Sequence, residues 1–288
     1  MAAPRPPSSS ARGAGRSGGR TAGREGADER GAAAPSSTPA RGTRAAATTR
    51  PPERHSVGKR AACSPLRRGI DGVVATGVAV VATYFGACLM LLAVYGVVYP
   101  PTTGVMVQRR LEAWASGADY DRHYEPVSTE NVSVNLRHAV VAAEDGRFYA
   151  HGGLDLDAMR EARRQAERTG RPMRGASTLT QQLVKNLFAT TRRSVVRKGV
   201  EVPLTLAAEA ILPKDRILDL YTNVVEFGPG VYGAEAAAEY HYGRSASRLT
   251  RSQAATLAAL LPNPRTRTPA NVGWYRRLIL RRMSAMGW

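Results

Sequence analysis

Beyond residue 100 the apolar positions recur at the three-and-four spacing of helices, and strand-like alternation is weak throughout. Leu136, Val140 and Ala143 with Glu144 fall on one stripe, which ends at Gly146. Leu179, Leu183 and Leu187 mark a second helix, and Leu204, Ala208 and Ile211 a third. Ile217, Leu220, Tyr221 and Val224 mark a fourth, while residues 234–242 and 253–261 are Ala-rich and helical in character. Gly228-Pro229-Gly230 and Leu261-Pro262-Asn263-Pro264 punctuate the pattern and predict tight loops. Two basic polar stretches, residues 160–174 and 189–196, carry no apolar stripe and are expected to be mobile loops beside a site. The expected class is all-α, with a single domain over residues 100–288.

The first hundred residues read differently. Residues 73–99 contain no charged side chain over 27 positions, whereas about 20 apolar residues suffice to cross a bilayer. A helix of that length measures about 40 Å. A cleaved signal peptide competes for this segment, but its apolar part is about 7–15 residues long and sits near the N-terminus. The expectation is an uncleaved anchor over residues 71–99. Lys59, Arg60, Arg67 and Arg68 precede it closely and only Arg109 and Arg110 follow closely. That bias puts the N-terminus in the cytoplasm and residues after Pro100 outside, with Tyr95 and Tyr99 at the outer interface.

Composition removes residues 1–70 from the fold. They are Ala, Gly, Arg, Ser and Pro, with 14 Lys/Arg against 4 Asp/Glu, and cannot bury enough surface to offset their ordering entropy. A disordered basic tail is expected; it lacks the interleaved aromatics of a nucleic-acid arm, so no nucleic-acid partner is assigned. Of the two cysteines, Cys63 lies in the tail and Cys88 in the span, so the outer domain folds without a disulfide. Residues 100–288 carry 27 Lys/Arg and 18 Asp/Glu, a basic balance that suits anionic lipid or a phosphate-bearing substrate as well as plain solvation.

Candidate chemistry concentrates in three strings. In Glu144-Asp145-Gly146-Arg147-Phe148-Tyr149-Ala150-His151-Gly152-Gly153, the stripe aims the Glu144 carboxylate inward in a last helical turn. Burial and the helix dipole both push such an acid towards a base working near neutral pH; the bland alternative is a solvent residue beside a Gly cap. In the second string Thr178 with Gln181 forms a capping box preceded by Ser177. The face opposite its leucines shows Gln181, Gln182 and Lys185, which suits an anion or simply a capped surface helix. In Arg197-Lys198-Gly199-Val200-Glu201 the spacings allow ordinary surface pairs; two cations around a carboxylate also suit a diphosphate, with or without a divalent ion.

Taken together, the strings resemble the peptidoglycan glycosyltransferases of glycosyltransferase family 51. Glu144, Asp145, Phe148, His151 and Gly153 match the first motif of that family. Gly175, Ser177, Thr178, Thr180, Gln181, Gln182, Leu183, Lys185 and Asn186 match the second. Arg197, Lys198, Glu201 and Glu209 match the third. A fourth runs from Lys214 through Tyr221, Asn223, Gly228, Gly230 and Gly233 to Gly243, and a fifth spans residues 249–264. The run most resembles the monofunctional branch, with no transpeptidase domain expected after Trp288.

The resemblance implies a lysozyme-like helical domain behind a single-pass anchor in the bacterial inner membrane. It implies polymerisation of lipid II: the GlcNAc 4-hydroxyl of lipid II attacks C1 of the growing chain's terminal sugar and displaces undecaprenyl diphosphate with inversion. By position, Glu144 is the base. Lys185, Arg193, Lys198 and Gln181 hold the diphosphate, and Glu201 organises that cluster or a divalent cation. Ser177, Thr178, Gln182 and Asn223 line the pocket. Partners implied are lipid II, the growing glycan chain, the membrane and other cell-wall synthesis proteins. The chain departs from the family at Pro203, Thr222, His241-Tyr242, Arg244 and Gln253. Pro203 removes a hydrogen bond to Gly199 and predicts a bend or break in the third helix, unless that helix starts at Glu201. Rival readings are a lytic enzyme cleaving glycan strands and an inactive scaffold.

Overall fold

A computed structural model of the chain describes residues 65–172, 175, 177–189 and 195–288, with side chains from residue 71 onward apart from 195 and 196. The tail expected over residues 1–70 lies outside the described residues as far as residue 64, and Arg193 lies outside them too. Ten α-helices occur in order among the described residues: α1 (Pro65–Tyr95), α2 (Gly104–Ser116), α3 (Val134–Glu144), α4 (Leu156–Thr169), α5 (Leu179–Phe188), α6 (Val195–Ile211), α7 (Lys214–Val224), α8 (Ala234–Tyr242), α9 (Arg251–Leu260) and α10 (Gly273–Ala285). Three short strands, β1 (His123–Tyr124), β2 (Glu226–Gly228) and β3 (Val231–Tyr232), join them.

The core is built on α3 and α5. Ser133 starts α3 by accepting a hydrogen bond from the Asn135 N–H at 3.3 Å. Leu136, Ala139, Val140, Val141, Ala142 and Ala143 are then buried, so α3 is enclosed nearly all round. It packs on α9 and α10, and α9 offers Ala254, Ala255, Ala258 and Ala259, small enough for the two backbones to approach closely. On α5, Leu179, Leu183 and Leu187 are buried as their spacing predicts, each contributing roughly 1.5–3 kcal/mol by leaving water. This helix packs against α2, α6 and α7.

Several departures from the family pattern find partners. Gln253 closes the capping box of α9 with Thr250, its Oε1 accepting from the Thr250 N–H at 3.1 Å, a role that Gln fills as well as Glu. Thr222 is buried and donates to the Asp219 carbonyl at 3.0 Å. Pro203 does not break its helix: α6 runs without interruption from Val195 to Ile211 with the proline inside. The start at Glu201 is therefore also excluded. Pro203 and Gly199 are both exposed, so water can satisfy the carbonyl that loses its N–H partner.

The loop expected over residues 160–174 is corrected as far as Thr169, where α4 ends. Asp155 caps α4 by accepting from the Ala158 N–H at 2.8 Å. Ion pairs Arg160–Asp157 and Arg163–Glu167, each 2.9 Å, follow its surface. A charged helix of this kind buries no side chain and so writes no apolar stripe.

The strands form one sheet in the order β1-β3-β2. Residues 123 and 124 pair in parallel with 231 and 232, and β2 pairs antiparallel with β3 through an irregular register. Gly233, at φ 86°, lets the chain pass the Asn223 carbonyl; a Cβ there would lie 2.4 Å from that oxygen.

Residues 71–95 of α1 are long and apolar enough to cross a membrane, and little of that stretch is buried. Its last turns differ. Cys88, Leu92 and Tyr95 enter the domain core, and Tyr84 donates to the Phe188 carbonyl at the end of α5, 3.0 Å away. Arg216 of α7 donates to the carbonyls of Tyr95 and Val98 at 2.9 Å each and pairs with Asp219. The Tyr99 ring lies under that guanidinium, 4.5 Å from it, and its hydroxyl donates to Asp219 at 2.9 Å. Tyr95 and Tyr99 thus dock the helix onto the domain.

Candidate active site

Glu144 ends α3 and is half-buried. Its Oε2 accepts from Gln182 Nε2 at 2.9 Å, and Gln182 Oε1 in turn accepts from the Tyr221 hydroxyl at 2.9 Å. Oε1 is closed from solvent and makes no hydrogen bond among the described residues. Burial pushes the Glu144 carboxyl above the usual carboxylate range, opposed by the Gln182 bond and the charges of Lys185, Arg267 and Arg282. Burial likewise raises the Tyr221 phenol well above its ordinary value, so it stays protonated and donates. The relay runs in one direction: Tyr221 fixes the Gln182 amide, and that amide fixes one oxygen of Glu144.

The helix dipole expected to act on Glu144 is largely answered by α10. Arg282 donates to the Ala142 and Ala143 carbonyls at 3.2 and 3.4 Å, and the Tyr275 hydroxyl to that of Ala143 at 3.2 Å. Two of the orphan carbonyls of α3, those of Ala142 and Ala143, are thereby paired. Arg267 lies 5.1 Å over the Tyr275 ring and donates to the Ala259 carbonyl at 2.7 Å. Sequence reasoning missed all three residues, which lie more than 120 positions from Glu144 and carry no local motif.

Asp145, next to Glu144, does structural work. Its Oδ2 accepts from the Leu179 N–H at 2.9 Å, placing a carboxylate on the N-terminus of α5. The anion at that helix start is therefore supplied by the chain itself. His151 Nδ1 accepts from the Gly153 N–H at 3.2 Å, which assigns the ring proton to Nε2, 3.0 Å from Asp145. Thr178 completes the joint, donating to the Gly153 carbonyl at 2.6 Å while accepting from the Gln181 N–H at 3.2 Å. Asp145, His151 and Asp155 bring potential metal-ligating atoms within 4.8 Å of one another. Leu179, Gly153, Ala158 and Arg147 already donate to those atoms, so the donor set fits a hydrogen-bonded hinge better than a divalent ion.

Lys185 lies in the last turn of α5, not beside its capped start. Its ammonium has no hydrogen bond or ion pair among the described residues. Burial, with the nearby Arg197 and Lys198 charges, pulls it below the ordinary lysine range, while Glu144 and Glu201 pull the other way. On α6, Glu201 is buried with 2% of its surface exposed, so it is no surface partner. Arg197 reaches its Oε1 at 3.2 Å and Lys198 its Oε2 at 3.2 Å. A divalent ion at Glu201 would have to displace one of these cations, and the arrangement does not favour one.

The structure thus brings Glu144, Gln182, Lys185, Lys198 and Glu201 together on α3, α5 and α6, with Arg197 beside them. Gln181 and Asn223 have polar atoms engaged within the chain. Gln181 Oε1 accepts from the Thr178 N–H at 3.1 Å in the capping box. Asn223 accepts from the Val127 N–H at 2.9 Å and donates to the carbonyls of Val127 and Asp219 at 3.0 Å each. Ser177 is exposed just before the cap.

Residues 111–284 match the family model described as Transglycosylase. The chain is 45% identical over 207 residues to a biosynthetic peptidoglycan transglycosylase of Pectobacterium carotovorum, covering 70% of this chain and 85% of that protein. It is 45% identical over 214 residues to the protein so named in Pseudomonas putida, with 71% and 88% covered. For that of Pseudomonas aeruginosa the identity is 45% over 194 residues, with 67% and 83% covered.

Proposed function

The chain belongs to the transglycosylase family, and from that membership we propose how its own residues carry out the transfer. It is a peptidoglycan glycosyltransferase that polymerises glycan chains from lipid II, and its domain is helical and lysozyme-like.

In the proposed mechanism the Glu144 carboxylate takes the proton of the GlcNAc 4-hydroxyl of lipid II. The freed oxygen attacks C1 of the sugar that ends the growing chain. The bond from C1 to the diphosphate oxygen breaks, its electron pair leaving with undecaprenyl diphosphate, and a single displacement inverts C1. Lys185, Arg193 and Lys198 hold the leaving diphosphate, where the negative charge builds up. Glu201 keeps Arg197 and Lys198 in place. Gln182 positions the base, while Thr178, Gln181 and Asn223 hold the elements that carry it, and Ser177 lines the approach. The carrying observation is the half-buried acid fixed at Oε2 by Gln182, beside an ammonium that has no hydrogen bond or ion pair among the described residues. General-base work of this kind contributes about 10²–10⁴-fold.

We further propose that residues 71–99 form a single-pass inner-membrane anchor, with residues 1–70 in the cytoplasm and residues 100–288 outside. An apolar helix and the family's membrane-borne substrate support this. Incubation with lipid II and, separately, with preformed glycan tests the reaction. Polymer from lipid II with intact glycan is expected; shortened glycan and no polymer would move the protein to the lytic reading.

A further inference from the structure

We propose that the groove between α2 and residues 120–122 is a seat for one anionic glycerophospholipid of the outer leaflet. This rests on the reading of α1 as a membrane anchor. The groove has a volume of about 560 Å³ and is lined by Pro101, Met106, Val107, Leu111 and Tyr120, with Arg110 and Arg122 among its lining. That size falls within the roughly 300–1,000 Å³ of ligand sites.

The groove begins six residues beyond the last turn of α1, so the anchor carries it to the membrane surface. Its floor is fixed. Tyr120 donates to the Tyr232 hydroxyl at 3.2 Å, and Tyr124 donates to the Pro100 carbonyl at 2.6 Å. Arg122 is held in place by its own bond to the Pro101 carbonyl at 3.3 Å and lies 5.7 Å over the Tyr124 ring.

Charge and exposure decide the occupant. Arg109 turns inward to Glu112 and Glu226, at 2.9 and 3.2 Å. The adjacent Arg110 is exposed and has no partner among the described residues. Of the nearby acids, Asp121 faces His123 at 3.1 Å and Glu112 faces Arg109, while Asp119 is exposed on the same turn. Val107, Leu111 and Trp114 form one exposed row on α2, the indole 82% exposed. An apolar trough flanked by two guanidiniums, with an indole beside it, matches a phosphate headgroup above acyl chains. A zwitterionic lipid presents the same phosphate but adds a cation that both arginines repel.

The test uses the full chain, extracted from membranes in mild detergent, washed, and offered phosphatidylglycerol or phosphatidylcholine. Bound lipid is counted by native mass spectrometry. One phosphatidylglycerol should be retained per chain, with phosphatidylcholine weaker. Arg110→Ala with Arg122→Ala should reduce retention by about tenfold or more, and Leu111→Ser, a second route, should also reduce it. Equal retention of both lipids, or undiminished phosphatidylglycerol in the double variant, overturns the proposal. So does retention of a polyprenyl diphosphate in its place. A chain that does not fractionate with membranes overturns the anchor as well, and membrane-bound protein with unchanged lipid retention overturns this seat alone.

Discussion

At the scale of single residues, two groups at the candidate site have charges set by their surroundings. Burial raises the Glu144 carboxyl, and a base works only when deprotonated. The acid limb of the polymerisation rate should therefore lie above the ordinary Glu value of about 4.3. A pH–rate profile with its acid limb at or below that value would contradict this. Over the window between the unfolded and raised folded values, the native state binds the extra proton, so Glu144 costs stability as pH rises through it. Glu144→Gln should consequently melt no lower than wild type at neutral pH. Lys185 makes the second case, an ammonium depressed by burial and by Arg197 and Lys198. A diphosphate would answer those charges together, so Lys185→Ala should weaken binding of a diphosphate-lipid analogue by about tenfold or more, read by titration. The motif residues were legible in the sequence because acid, amides and cations lie in short strings. Tyr221, Tyr275 and Arg282 were not readable as parts of the site, since only tertiary packing brings them to Glu144.

Between residue and domain, helices act as the parts that set distances. The relay from Tyr221 on α7 through Gln182 on α5 to Glu144 on α3 ties three helices at one point. Tyr221→Phe removes only the hydroxyl, and the loss of that bond should cost about 1 kcal/mol of stability. Turnover should fall roughly three- to tenfold with substrate affinity kept, in a steady-state assay. Pro203 offers a different check. Since α6 is unbroken and Pro203 is exposed, Pro203→Ala restores an N–H without moving Glu201. Thermal unfolding should shift upward and activity should hold; lost activity would show that the proline aims Glu201 after all. Helices with an apolar stripe, such as α3, α5 and α7, were readable from spacing alone. Helix α4 was not, because it buries no side chain and its regularity lies in caps and ion pairs. The three strands are two or three residues long, too short for alternation to register.

For the whole molecule, the domain and the apolar helix α1 are joined by a defined set of contacts. Arg216 holds two backbone carbonyls at the end of α1, the Tyr99 ring and Asp219 at once. This fixes how the last turns of α1 meet the domain, and hence how the candidate site is placed relative to the apolar helix. Reporter fusions before Val73 and after Pro101 should report opposite sides of the membrane; the same side for both would remove the anchor. The long apolar helix was legible as a charge-free run of apolar residues, whereas its docking through Arg216 required the fold. The central claim is that Glu144 is the base for glycan polymerisation, and its most direct test is polymer formation from lipid II by full-length wild type and Glu144→Gln, both shown to be folded. Wild type should give a ladder of glycan polymers and Glu144→Gln none; a ladder from Glu144→Gln at the wild-type rate would contradict the account.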